Sequence, residues 1–323
     1  MNAHSRLRLT PPPLANSRTR RRLCASLIAI VATPFTAGCN MAATLPPVAE
    51  HPIAHSIGRF DYALPAPLRS TGSTLTIYLV DIAQSPLPAG VAPAEAWRAR
   101  LATELAAKSA SRPSGVLTRE FELPGVGPAA WMRLTPSQPD LVTLLAQRPV
   151  AQAGLAVTLE MEASAGREQF AERIFTRVAQ SWVPGSPQGF STGLGAVVMQ
   201  PSQNERASES FMAPGLSISI QTETVEEPDD GQNTAEPPPG GKVLLKQQRR
   251  IGTFEGIEQH TQLPNEGSGE SLVYLWIFPG QSADGAAPRI RLAANAPLSH
   301  AAALDEAWNT LLATWRLRPI GAH

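Results

Sequence analysis

The chain has 323 residues, 43% apolar and 17% charged, a globular composition with room for about two domains. Its formal charge is zero, but residues 1–38 carry six arginines and no acid; beyond them 21 basic and 27 acidic residues remain, a net −6 that excludes a basic nucleic-acid footprint. Its two cysteines are Cys24 and Cys39, so everything after position 39 lacks a thiol for a disulfide framework, a zinc–cysteine cluster, an iron–sulfur site or a nucleophile.

Arg18, Arg20, Arg21 and Arg22 precede thirteen mostly apolar residues, Leu23 to Phe35. That run is too short to cross a hydrocarbon core of about 30 Å as a helix, but it fits the apolar centre of a signal peptide. Thr36-Ala37-Gly38-Cys39 follows, and small residues before a cysteine resemble the lipobox of bacterial lipoproteins. The expectation is cleavage after Gly38 and acylation of Cys39, giving a periplasmic protein that meets the membrane through its N-terminal lipid only. Asn40 resembles the residue after cysteine in lipoproteins sorted to the outer membrane. Thr19-Arg20-Arg21-Arg22-Leu23 also resembles a twin-arginine signal, so the general secretory and twin-arginine routes both stay open. Residues 39–55 contain prolines, show no periodicity and read as a tether.

The rest of the chain divides into two halves that rhyme. The first, 56–184, holds an alternating strand at Leu75, Ile77 and Leu79, and a helix near Pro93–Lys108 with Trp97, Leu101 and Leu105 on one face. Alternation at Leu155, Val157, Leu159 and Met161 marks another strand, and residues 170–184 form an amphipathic helix. Breakers at 183–189 mark the boundary. The second half, 185–323, repeats the order: a strand at Leu216, Ile218 and Ile220, another at Val273 to Phe278, and a helix over 303–319. When Trp182 is aligned with Trp315, Ala171, Phe175, Val178 and Ala179 meet Leu304, Trp308, Leu311 and Leu312. The fold class expected is therefore α+β: two related domains, each a mostly antiparallel sheet closed by a C-terminal helix.

Residues 226–241 combine five acids, four prolines and three glycines without apolar periodicity, and read as a mobile acidic loop in the second half. The loop reads first as a solvated insertion without a role, and alternatively Glu226, Glu227, Asp229 and Asp230 within it are candidate contacts to a partner protein.

Chemistry is harder to find. Gly189-Phe190-Ser191-Thr192-Gly193 matches the G-x-S-x-G nucleophile elbow, but a Pro/Gly linker precedes it and a strand-like run follows, where the elbow needs a strand and then a helix. His260, His300, Asp284 and Asp305 are its conceivable partners. His260 sits in a strand-like stretch and reads as a surface imidazole, and no histidine spacing suits a metal. Gly240-Gly241-Lys242 and Gly193-Leu194-Gly195 fall short of phosphate and dinucleotide fingerprints. No catalytic residue, metal site or cofactor is expected.

Three phrases nonetheless resemble one family. Gly58-Arg59-Phe60-Asp61-Tyr62-Ala63-Leu64-Pro65 is similar to the opening phrase of type VI secretion immunity lipoproteins, those cognate to the fourth class of lipase effectors. Gly189 to Ala196 with Glu205 to Thr222 resembles the start of that family's C-terminal domain, and Asp305 to Pro319 resembles its terminal helix. The resemblance spans roughly residues 56–319. It implies a non-catalytic, lipid-anchored protein that binds and occludes a phospholipase effector delivered to the periplasm, with neither a cofactor nor a nucleic-acid partner. A structural or assembly lipoprotein of the outer membrane, and a lipid-anchored hydrolase built on Ser191, are the alternatives.

Overall fold

The computed structural model describes residues 51–87, 90–106, 115–134, 140–150, 154–193, 195–199, 205–225, 237, 240–265, 269–281 and 287–318. In chain order, the first half runs β1 (Ile53–Ile57), β2 (Phe60–Leu64), β3 (Arg69–Ile77), β4 (Val80–Pro86), α1 (Pro93–Ala106), β5 (Gly115–Leu123), β6 (Gly127–Leu134), β7 (Leu141–Val150), β8 (Leu155–Ser164), α2 (Glu168–Gln180) and β9 (Trp182–Pro184). The second runs β10 (Phe190–Ser191), β11 (Gly195–Val197), β12 (Arg206–Ala213), β13 (Leu216–Glu223), β14 (Lys242–Ile251), β15 (Phe254–Asn265), β16 (Gly269–Phe278), β17 (Arg289–Pro297), α3 (Ala301–Thr314) and β18 (Arg316–Leu317).

This corrects the expected fold class. The chain is mainly β, and twelve strands form one antiparallel sheet in the order β14-β15-β16-β17-β13-β12-β3-β4-β8-β7-β6-β5. Two separate α+β domains are ruled out by the centre of that sheet, where β3 pairs directly with β12, Leu75 facing Ala207. A single apolar cluster accordingly runs from Trp131 and Phe175 in the first half to Trp276 and Trp308 in the second. Alternation tells a strand which face is buried, not which strand lies beside it, so the join was invisible in sequence.

Reading outward from β3 and from β12 gives the same arrangement twice, β3-β4-β8-β7-β6-β5 and β12-β13-β17-β16-β15-β14. The small strands are exchanged between the halves. The hairpin β1–β2 opens the first half but takes up β18 from the chain's end, while β10–β11 takes up β9. Each half thus holds the other's last strand.

Periodicity explains the helices. Ala171, Phe175, Val178 and Ala179 are the buried stripe of α2, and Leu304, Ala307, Trp308, Leu311 and Leu312 that of α3. The helices stop short of the predicted ends, since Trp182 and Trp315 begin extended segments. Helix α1 lies on the opposite side of the sheet. Along β6, Ala129 and Trp131 join the main core, whereas Ala130 and Met132 pack under Trp97 and Leu101.

The predicted strand through Leu79 ends two residues early. Tyr78 and Leu79 take φ of 50° and 69° and form a two-residue turn, so that Ile77 pairs with Val80 and Leu79 is exposed. An alternating pattern that crosses a hairpin turn looks like one strand.

Candidate functional site

Two polar centres stand out among the described residues, the first where the two halves meet. At the seam, Gly58 and Ser191 exchange backbone hydrogen bonds, Gly58 N–H to Ser191 O at 2.9 Å and Ser191 N–H to Gly58 O at 2.7 Å. Gly58 has φ +54°, and a Cβ there would lie 2.9 Å from that of Ala207, so both backbone conformation and space require glycine. The Ser191 hydroxyl hydrogen-bonds Ser56 Oγ at 2.7 Å and accepts the Gly193 N–H at 3.0 Å. Ser191 is buried on the short strand β10, and neither hydroxyl partner is a base. Its surroundings therefore suit a structural hydroxyl that joins the two hairpins.

Next to it, Arg59 donates from Nε and Nη2 to Glu205 Oε2, at 2.8 and 2.5 Å, with both side chains 1% exposed. The guanidinium also sits 5.2 Å from the centre of the Phe190 ring. Burial pushes the Glu205 carboxyl up to about 7, against the downward pull of Arg59. From the end of the chain, Arg318 N–H donates to the Arg59 carbonyl at 2.7 Å, and Arg318 Nη1 reaches Asp61 Oδ1 at 2.8 Å. These contacts clamp β18 onto β2.

A cleft of about 610 Å³ opens beside this clamp, lined by His55, Asp61, Tyr62, Glu209, Trp315 and Arg316 among others. Tyr62 donates its hydroxyl to Glu209. Burial raises the pKa of Glu209, opposed by hydrogen bonds from Tyr62 and Ser70, and burial lowers that of His55. The His55, Tyr62 and Trp315 rings stack in series, at 5.8 and 5.5 Å between centres.

A second polar centre lies under α3. Glu258, fully buried on β15, accepts from Trp308 Nε1 at 2.7 Å, Gln247 Nε2 at 2.8 Å, Arg249 Nη1 at 2.9 Å and His260 Nε2 at 3.0 Å. Burial pushes this carboxyl up, but the hydrogen bonds, that of His260 foremost, hold it down at about 2. His260 is thus not the surface imidazole expected: it stacks on Tyr274 at 3.6 Å, and Tyr274 donates to Asp305 at 2.6 Å.

The other sequence candidates separate. Cys39 and Gly38, Glu226, Glu227, Asp229 and Asp230, and Asp284 lie outside the described residues. His300 hydrogen-bonds Ser299, while His260 and Asp305 belong to the Glu258 centre. Among the described residues, no three His, Cys, Asp or Glu side chains converge as metal ligands. Sequence reasoning missed Arg59, Glu205, Glu209 and Glu258. Arg59 sits in the turn between β1 and β2, Glu205 just before β12, and Glu209 and Glu258 in strands of mixed polarity, all places where a charge reads as an ordinary solvated one.

No protein-family model and no curated protein sequence matches the chain. Solved structures do match its fold. The apo structure of the T6SS immunity protein TplEi from Pseudomonas aeruginosa superposes with a TM-score of 0.63 at 18% identity, over 83% of this chain and 98% of that one. A chain of the Tle4–Tli4 complex gives the same values. TplEi complexed with a peptide termed "L" gives a TM-score of 0.59 at 17% identity over the same shares. The family resemblance of the sequence phrases and the fold thus point the same way.

Proposed function

We propose that this chain is a type VI secretion immunity protein that binds a cognate lipase effector and blocks it by occupying its surface. The carrying observation is the extent of the fold match: nearly the whole of an immunity protein, 98% of its length, is reproduced here. That one such match comes from a Tle4–Tli4 complex supports a protein partner. The exchanged strands, the buried Arg59–Glu205 pair and the part-buried Arg318–Asp61 contact tie the halves into a firm scaffold, which lowers the ordering cost of a large interface. Occlusion needs only such a surface, with no nucleophile, metal or cofactor.

In this reading the protein works in the periplasm, held by a lipid on Cys39, where an effector delivered from a neighbouring cell arrives. The test is co-purification of the chain with a type VI lipase effector of the same organism. A complex that survives gel filtration at low micromolar concentration supports the reading. Separate elution of the two proteins refutes it.

A further inference from the structure

The two terminal helices agree on the inside and differ on the outside. Under the alignment that sets Trp182 on Trp315, all four buried positions of α2 fall on buried positions of α3, whose fifth, Ala307, meets the partly buried Ile174, so the sheet makes nearly the same demand on both. Facing away from the core, α2 presents Phe170, Arg173 and Arg177, three residues on one stripe at i, i+3 and i+7. At the same places α3 has Ala303, Glu306 and Thr310. The fold therefore does not need a phenylalanine and two arginines there, since its twin helix does without them.

Phe170 is 54% exposed, and the Arg173 guanidinium lies 5.8 Å from its ring centre. Among the described residues no carboxylate pairs with Arg173 or Arg177, whereas nearby Glu172 is taken by Arg119. Arg167, just before the helix, adds to the positive field. A groove of about 730 Å³ lined by Glu172, Arg173, Thr176 and Arg177 runs from Gln169 to Ser181 beside Phe170, which does not line it. An exposed aromatic ring beside unpaired arginines is the composition of an interface hot spot, and it stands on a chain that is net −6 beyond residue 38.

We infer that the Phe170–Arg173–Arg177 stripe of α2 is a docking surface for an acidic patch on the lipase partner, with Phe170 as the apolar anchor and the arginines steering encounter. This deepens the proposed function and rests on it.

The experiment measures binding of the full chain to a type VI lipase effector of the same organism, at low and high salt. Arg173→Glu with Arg177→Glu is expected to slow association at least about tenfold at low salt, with the deficit narrowing at high salt. The double Gln variant should fall between this and wild type. Phe170→Ala should speed dissociation at least about tenfold. Glu306→Gln on α3 should change neither rate, and all four variants should melt with the wild type because the sites are exposed. If wild type binds and the α2 variants bind with unchanged rates, the docking surface is refuted while the immunity reading stands. If wild type fails to bind, the immunity reading falls and takes this one with it. Variants that lose binding to phosphatidylglycerol vesicles but keep the lipase would make the stripe a lipid contact, which also overturns the inference.

Discussion

Replacing Glu258 with glutamine tests whether the second half is held by a buried charge. The carboxylate gathers four donors from β14, β15 and α3, and its pKa of about 2 lies below the ordinary 4.5. A group whose pKa is depressed on folding contributes stability above its unfolded value and loses it as pH falls through the folded one. The gap corresponds to about 3 kcal/mol at neutral pH, declining to about 1 kcal/mol at pH 3. Glu258→Gln keeps the shape and removes the charge, so it should lower unfolding free energy by about 3 kcal/mol at pH 7 and much less at pH 3. Glu205 titrates in the opposite sense, its contribution being complete below 4.5 and lost as pH rises through about 7. It is present in both proteins, so the wild-type-minus-variant difference isolates Glu258. Urea unfolding of both proteins from pH 3 to pH 7 is the assay. A gap that stays constant across that range would show that packing, not charge, is at stake, and no gap would refute the argument altogether.

Trp315→Ala should cost about 3–5 kcal/mol in urea unfolding, because the ring is buried between Phe60 at 4.7 Å and Tyr62 at 5.5 Å. Arg59→Met should also cost about 3–5 kcal/mol by stranding Glu205, whereas Arg59→Met with Glu205→Met should recover most of the loss; an equally unstable double variant would show that the pair matters for more than its charges. Leu79→Gly should stabilise by about 1 kcal/mol, since φ of 69° strains an exposed leucine but not glycine, and a lower melting temperature would contradict this. Cys39→Ser should leave an uncleaved precursor or a soluble form, and fractionation with membranes as in wild type would dismiss the lipobox.

What the sequence disclosed follows from the range of each signal. The helices were legible because the stripe Leu304–Trp308–Leu311 repeats within four residues, and its match to Ala171–Phe175–Val178 revealed the repeat. Strands with one wet face, such as Leu216 to Ile220, were equally plain. Strand β7, buried from Val142 to Gln147, shows no alternation, and the exposed edge strand β14, with Lys242, Lys246, Arg249 and Arg250, looks like loop. The pairing of β3 with β12 depends on residues more than 130 apart, and Arg59 finds Glu205 across 146 positions. Local periodicity holds no record of either, so the single sheet and its seam emerged only in three dimensions.

The most direct test of the account is a titration of the purified lipase with increasing amounts of the chain, following phospholipid hydrolysis. Activity should fall in proportion to the chain added and vanish only when every lipase molecule is complexed, and lipase released from the complex should be active with unchanged mass. Complete inactivation by a small fraction of an equivalent, or a lipase chemically altered by the encounter, would mean turnover and contradict an immunity protein that acts by binding.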